Sequence, residues 1–147
     1  MKVIVAIDQT DNWKQIVDYV VSRTWPVDTI FRVLTVVEST DRSVNNTGAS
    51  KSLTADRILH QARAQLLKYL PACTIYTEVR KGNAAEELVT IAANWMVDKI
   101  ILGCHGSSSN RLIPGTISQS VATHSCCSID LVKLKAATAI GEKSSVA

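Results

Sequence analysis

Residues 100–116 read IILGCHGSSSNRLIPGT, and the organisation of the whole chain can be worked out from how this stretch begins and ends. Ile100 to Leu102 is a short, wholly apolar run of the kind shown by a strand buried on both faces. Gly103, Gly106 and Gly115 then bracket a polar segment, and a helical pattern runs from about Thr116 to His124. Gln119, three residues after Thr116, has the spacing of a capping box. A strand that leads through a glycine-rich turn into a helix is the repeating unit of an α/β fold. Glycine lets the backbone turn sharply and lets N–H groups approach an anion with no Cβ in the way. The helix start adds unpaired donors and a partial positive charge. Ser107, Ser108, Ser109 and Thr116 add hydroxyls and Arg111 adds a cation, so the segment is equipped to hold a polyphosphate. Neither GxxxxGK[ST] nor GxGxxG occurs.

Upstream and downstream, the same alternation repeats. Strands are expected at Val3 to Ile7, Ile30 to Val37, Ile75 to Val79, Ile100 to Leu102 and Ile129 to Val132, the last interrupted by Asp130. Apolar stripes at helical spacing lie between them. Trp13, Ile16, Val17, Val20 and Val21 form the first, and Ala55, Ile58, Leu59, Ala62 and Leu66 the second. Ala85, Leu88, Ile91, Ala92 and Trp95 form the third, opened by Asn83 with Glu86 three residues on. Five strands alternating with four helices require crossover connections and a parallel sheet with helices on both faces. Such a sheet binds ligands beyond the carboxyl ends of its strands, where strand order reverses. The polar stretch from Ser39 to Thr54 reads as a long, mobile loop. Residues 1–135 read as one domain and residues 136–147 as a loose tail.

Composition agrees. A chain of 147 residues buries roughly two-thirds of its surface on folding and needs no staple. Hydrophobic residues make up 46% and aromatics only 5%, so aliphatic side chains fill the interior. The net charge of +3 is spread out, with no basic run interleaved with aromatics, which argues against a nucleic-acid surface. No apolar run is long enough to span a membrane, and the opening MKVIVAIDQT reads as a strand, not a signal peptide. Cys73, Cys104, Cys126 and Cys127 show no CxxC and read as reduced thiols of a cytoplasmic protein. Asn45-Asn46-Thr47 matches a glycosylation sequon by accident on this reading.

The 103–116 segment resembles the nucleotide loop of the universal stress protein family, in which Gly-x-x-Gly precedes a Gly-Ser or Gly-Thr pair. The resemblance extends over most of the chain. Val5-Ala6-Ile7-Asp8 is similar to the family's first strand and its acidic end, and Gly82 to Leu88 to its glycine-led third helix. Asp98 to Gly103 and Cys126 to Val132 are similar to its fourth and fifth strands. The resemblance implies a three-layer open sheet of five parallel strands in the order 3-2-1-4-5, of the nucleotide-binding α-hydrolase-like type. It implies ATP across the ends of strands one and four, accompanied by Mg or Mn. Ile7 and Asp8 would border the adenosine, Asp8 accepting a ribose hydroxyl, and Val36 would present backbone to the adenine. Gly103, Gly106, Gly115 and Thr116 would wrap the phosphates, with His105, Ser107 and Arg111 beside them and Leu102 and Ile117 completing the set. It also implies a homodimer paired through the fifth strand, and a stress-response module read by a protein partner.

Three features depart from the family pattern. Eight residues, not nine, separate Gly106 from Gly115, and Pro114 stiffens the interval. Trp13 stands where a small serine is usual; core packing is its expected role, and stacking on a base or blocking it the alternative. Asp130 places a carboxylate on an edge strand, a device against edge pairing. Asp8 has a second reading, bonding to the turn before the first helix; Thr10 or Asp11 is expected to take that capping role and leave Asp8 for a ligand. His105, Cys104, His124, Cys126 and Cys127 fit no zinc spacing. No serine or cysteine has an evident base beside it, so binding, not catalysis, is the expected activity. The alternatives are a member that has lost nucleotide and works through protein contacts, and a slow ATPase.

Overall fold

The computed structural model describes residues 1–38, 47–105 and 116–135, apart from the side chains of 47–52, 105 and 116. Its strands are β1 (Lys2–Ala6), β2 (Ile30–Val37), β3 (Thr74–Lys81), β4 (Lys99–His105) and β5 (Ser128–Leu134). Its helices are α1 (Trp13–Val21), α2 (Thr47–Tyr69), α3 (Ala84–Trp95) and α4 (Thr116–His124). The strands form one sheet in the order β3-β2-β1-β4-β5, every neighbouring pair parallel. The chain winds outward from β1 to β3, then returns past β1 to add β4 and β5. Strand order therefore reverses between β1 and β4.

The apolar runs become strands because both faces of the sheet are covered. Val3, Ile4 and Val5 in the central strand are fully buried. On one face Val3, Val5, Phe31, Val33 and Ile101 pack against Ile16, Val17 and Val20 of α1 and Leu59, Ala62 and Leu66 of α2. On the other, Ile4, Leu34, Ile100 and Leu102 pack against Leu88, Ile91 and Ala92 of α3 and Val121 of α4. Burying each of these larger side chains stabilises the fold by about 1.5–3 kcal/mol. Trp13 belongs to the first of these cores and is only 5% exposed. The Asn83 side chain accepts from the Glu86 N–H at 3.0 Å and so caps α3 as its sequence announces.

The structure changes two expectations here. Residues 47–54 lie in the first two turns of α2, not in a loop. Their sequence carries no apolar stripe, and Leu53, the one large apolar residue among them, is 71% exposed. The rest of that expected loop, 39–46, lies outside the described residues, as does the tail 136–147. Asp130 does not stand on edge strand β5 as a free charge. Its Oδ2 accepts from the Tyr19 hydroxyl of α1 at 2.7 Å and from Lys99 Nζ of β4 at 3.2 Å. The carboxylate interrupts the aliphatic pattern because it joins α1 to the sheet.

Burial, reinforced by the hydrogen bond to Asp130, holds the Tyr19 phenol above its ordinary pKa of 10.0. A raised phenol pKa contributes stability that is present below pH 10 and lost as pH rises through the folded-state value. We expect Tyr19→Phe to cost about 1–2 kcal/mol at pH 8 in urea unfolding. The gap between wild type and variant should shrink above pH 10. A gap independent of pH would show that the folded state does not raise the Tyr19 phenol pKa.

Candidate functional site

The ladder between β1 and β2 runs to Ala6↔Leu34, and that between β1 and β4 to Val5↔Ile101. One further bond, from the Ile7 N–H to the Leu34 carbonyl at 3.0 Å, closes the central strand. Both neighbours continue. β2 runs on through Thr35, Val36 and Val37, paired only with β3. β4 runs on through Leu102, Gly103, Cys104 and His105, paired only with β5. Two inner strand edges thus face each other across the space where β1 is missing. The result is a cleft of about 580 Å³ at the carboxyl end of the sheet, a size typical of small-ligand sites.

Asp8 is what turns β1 aside. Its Oδ1 accepts from the Thr10 N–H at 3.0 Å and from the Thr10 hydroxyl at 2.6 Å, and Thr10 Oγ1 accepts from the Asn12 N–H at 3.2 Å. The expected division of labour is therefore corrected. Asp8 itself ties down the turn, and α1 begins at an N-cap, Asn12, that makes no side-chain capping bond. Asp8 is nevertheless exposed on the cleft, and its Oδ2 has no hydrogen bond to a described residue.

Of the residues singled out in the sequence, Ile7, Asp8, Val36, Leu102, Gly103 and Ile117 all line this cleft. His105 ends β4 and Thr116 opens α4. Gly106, Ser107, Arg111 and Gly115 lie outside the described residues. Ile117 and Ser118 belong to the first turn of α4, so the amino end of that helix, with its partial positive charge, adjoins the cleft. Trp13 is not among the lining residues. The structure adds Gln9, Thr35, Glu38, Ala84, Leu88, Cys104, Ser118 and Leu134. Thr35 and Glu38 were within reach of sequence reasoning, since they occupy the carboxyl end of a recognisable strand. Leu134 was not, because its place depends on how β5 pairs.

That pairing also recasts Gly103. It sits within β4 opposite Val132, not in a loop. A Cβ at this position would lie 2.6 Å from Leu134 Cδ1 and 3.0 Å from its Cγ. The missing side chain lets Leu134 lie across β4 and form part of the cleft wall. Cys104, next in the strand, is 1% exposed. Burial pushes its thiol above the ordinary value, against the opposing pull of Lys133, so it stays protonated at neutral pH and is a poor nucleophile. His124, Cys126 and Cys127 line a separate pocket of about 330 Å³, and no group of three His, Cys, Asp or Glu gathers as metal ligands among the described residues. No described helix is long and apolar enough to cross a membrane.

The model of the universal stress protein family matches residues 1–133. The chain belongs to that family. No curated protein matches it by sequence. Solved structures share its fold at low identity. A universal stress protein from Lactobacillus plantarum is 19% identical with a TM-score of 0.71, over 90% of this chain and 97% of that one. A universal stress protein family protein from Arabidopsis thaliana with AMP bound is 15% identical with a TM-score of 0.68, over 92% and 93%. The universal stress protein from Archaeoglobus fulgidus in complex with dAMP is 15% identical with a TM-score of 0.63, over 90% and 98%.

Within this universal stress protein, Gly103→Ala should cost about 1–3 kcal/mol, the usual penalty for overpacking, measured by urea unfolding. Combined with Leu134→Ala it should cost less than the sum of the two single changes, because the clash is then gone. Strict additivity would show that Gly103 is not there for Leu134.

Proposed function

We propose that this universal stress protein binds ATP, accompanied by Mg or Mn, in the cleft between β2 and β4, and acts as a stress-response binding module and not as an enzyme. One observation carries the reading: the gap left by β1 and the amino end of α4 meet at a single cleft. Exposed strand edges and apolar walls suit a nucleoside, and a helix start suits phosphate. The AMP and dAMP bound by the two relatives support a nucleotide for the family. On this reading Ile7, Asp8 and Val36 border the adenosine. Leu102, Gly103, His105, Gly106, Ser107, Arg111, Gly115, Thr116 and Ile117 serve the phosphates.

Charge supports the cation. The described lining contains two carboxylates, Asp8 and Glu38, and no lysine or arginine. A triphosphate entering beside them is favoured once a divalent cation neutralises part of its charge. Binding without turnover fits a cleft in which burial keeps the Cys104 thiol protonated. The same reading has two copies pairing along the free edge of β5 in the cytoplasm, where the bound state is read by a protein partner. The ion pair of Asp130 with Lys99 supports that pairing, since it leaves no unpaired carboxylate charge at that position of the edge. Trp13, buried away from the cleft, removes one ground for a member that has lost its nucleotide.

The test is to heat-denature the purified protein, chromatograph the supernatant for nucleotide, and titrate nucleotide-free protein with Mg-ATP by calorimetry. We expect co-purified adenine nucleotide or saturable binding, weakened in Asp8→Ala and on removal of the metal by EDTA. No nucleotide and no heat of binding would overturn the reading.

A further inference from the structure

Two threonines are almost completely buried in the described structure, Thr29 and Thr35. Thr29 donates its hydroxyl to the Pro26 carbonyl at 2.6 Å and is satisfied. Thr35 is 2% exposed, yet its hydroxyl is not shut off from solvent, and it makes no hydrogen bond to a described residue. A hydroxyl whose remaining opening is toward the cleft must find its partner there, and valine would fill the same volume without needing one. The position is otherwise apolar: Val33 and Val37, two residues away on either side along the same face of β2, are both buried. What distinguishes Thr35 is its place. It is the first residue of β2 past the last β1 pair, Ala6↔Leu34, and it lines the cleft.

We infer that the Thr35 hydroxyl hydrogen-bonds the nucleoside half of the ligand and determines its specificity. The inference rests on the nucleotide reading above and adds to it a residue that neither the family resemblance nor the motif spacing pointed to. Thr35 lies on the β2 wall, whereas the helix start that suits phosphate belongs to the wall of β4 and α4. A hydroxyl both donates and accepts, so it pairs with a ribose hydroxyl or with a ring nitrogen or exocyclic amine of the base. In the ligand-free protein water in the cleft takes the same place.

The experiment compares wild type, Thr35→Val and Thr35→Ser in two measurements, the Kd for Mg-ATP by calorimetry and the urea midpoint of ligand-free protein. Thr35→Val should bind about three- to tenfold more weakly, the worth of one hydrogen bond. Thr35→Ser, which keeps the hydroxyl, should stay within about twofold of wild type. The ligand-free midpoint of Thr35→Val should be equal to or higher than that of wild type, since nothing in the chain loses a partner. Unchanged binding in Thr35→Val would overturn the inference and leave water as the only partner. A lowered midpoint would overturn it too, by showing that the hydroxyl serves the fold. Wild-type protein that binds no nucleotide is a separate result and sinks the nucleotide reading itself.

Discussion

The site depends on β1 ending before its neighbours do. A central strand that matched β2 and β4 in length would carry the ladders to the end of the sheet and leave no inner edges exposed. Here hydrogen bonding to β1 stops at Ile7, and Asp8 diverts the chain into the turn before α1. The backbone groups of β2 and β4 beyond that point have no strand between them. Paired backbone is worth little to a ligand, whereas unpaired strand edges are ready-made donors and acceptors. The core below supplies the rigidity: Val3, Ile4 and Val5 are fully buried between two helical layers, so the gap above them keeps a fixed shape.

Much of this could be read in the amino-acid sequence because it is written locally. Apolar runs and helical stripes report burial on two faces and on one, and the alternation of the two forces a parallel sheet. The glycine-bounded segment after Leu102 pointed to the end of the sheet where the cleft lies, and the Asn83 cap was legible from three residues. Strand order was legible only through the family resemblance, since periodicity says which residues are buried and not which strands are neighbours. The structure then bears it out.

Two features that the sequence does not show are decided by residues far away in the chain, and a third by a neighbour two residues on. Gly103 and Cys104 look like the start of a loop, yet pairing with Val132 and Lys133 keeps them in β4. Asp130 looks like a guard on an edge strand, yet Tyr19, distant in sequence, receives it from α1. Asp8 looks available for a ligand because Thr10 and Asp11 look like better caps. In fact the first helix has no side-chain cap, and the aspartate serves the turn and the cleft together. Propensity and spacing rank local options, and tertiary contacts choose among them.

The same dependence governs the cleft wall. Leu134 reaches the cleft only because Gly103 leaves room for it and because the end of β5 is held in place. The Gln15 amide of α1 does the holding: it donates to the Lys135 carbonyl at 2.9 Å and accepts from the Lys135 N–H at 2.7 Å. Gln15 thereby treats the residue after β5 as a strand neighbour would, satisfying both of its backbone groups. Ile16, the next residue of α1, lines the cleft itself. One turn of α1 thus sets two parts of the wall, one directly and one through the backbone of Lys135. Any shift of α1 against the sheet must move Ile16 and Leu134 together, so the shape of the cleft is tied to the seating of that helix, which Trp13 and the Tyr19–Asp130 bond maintain.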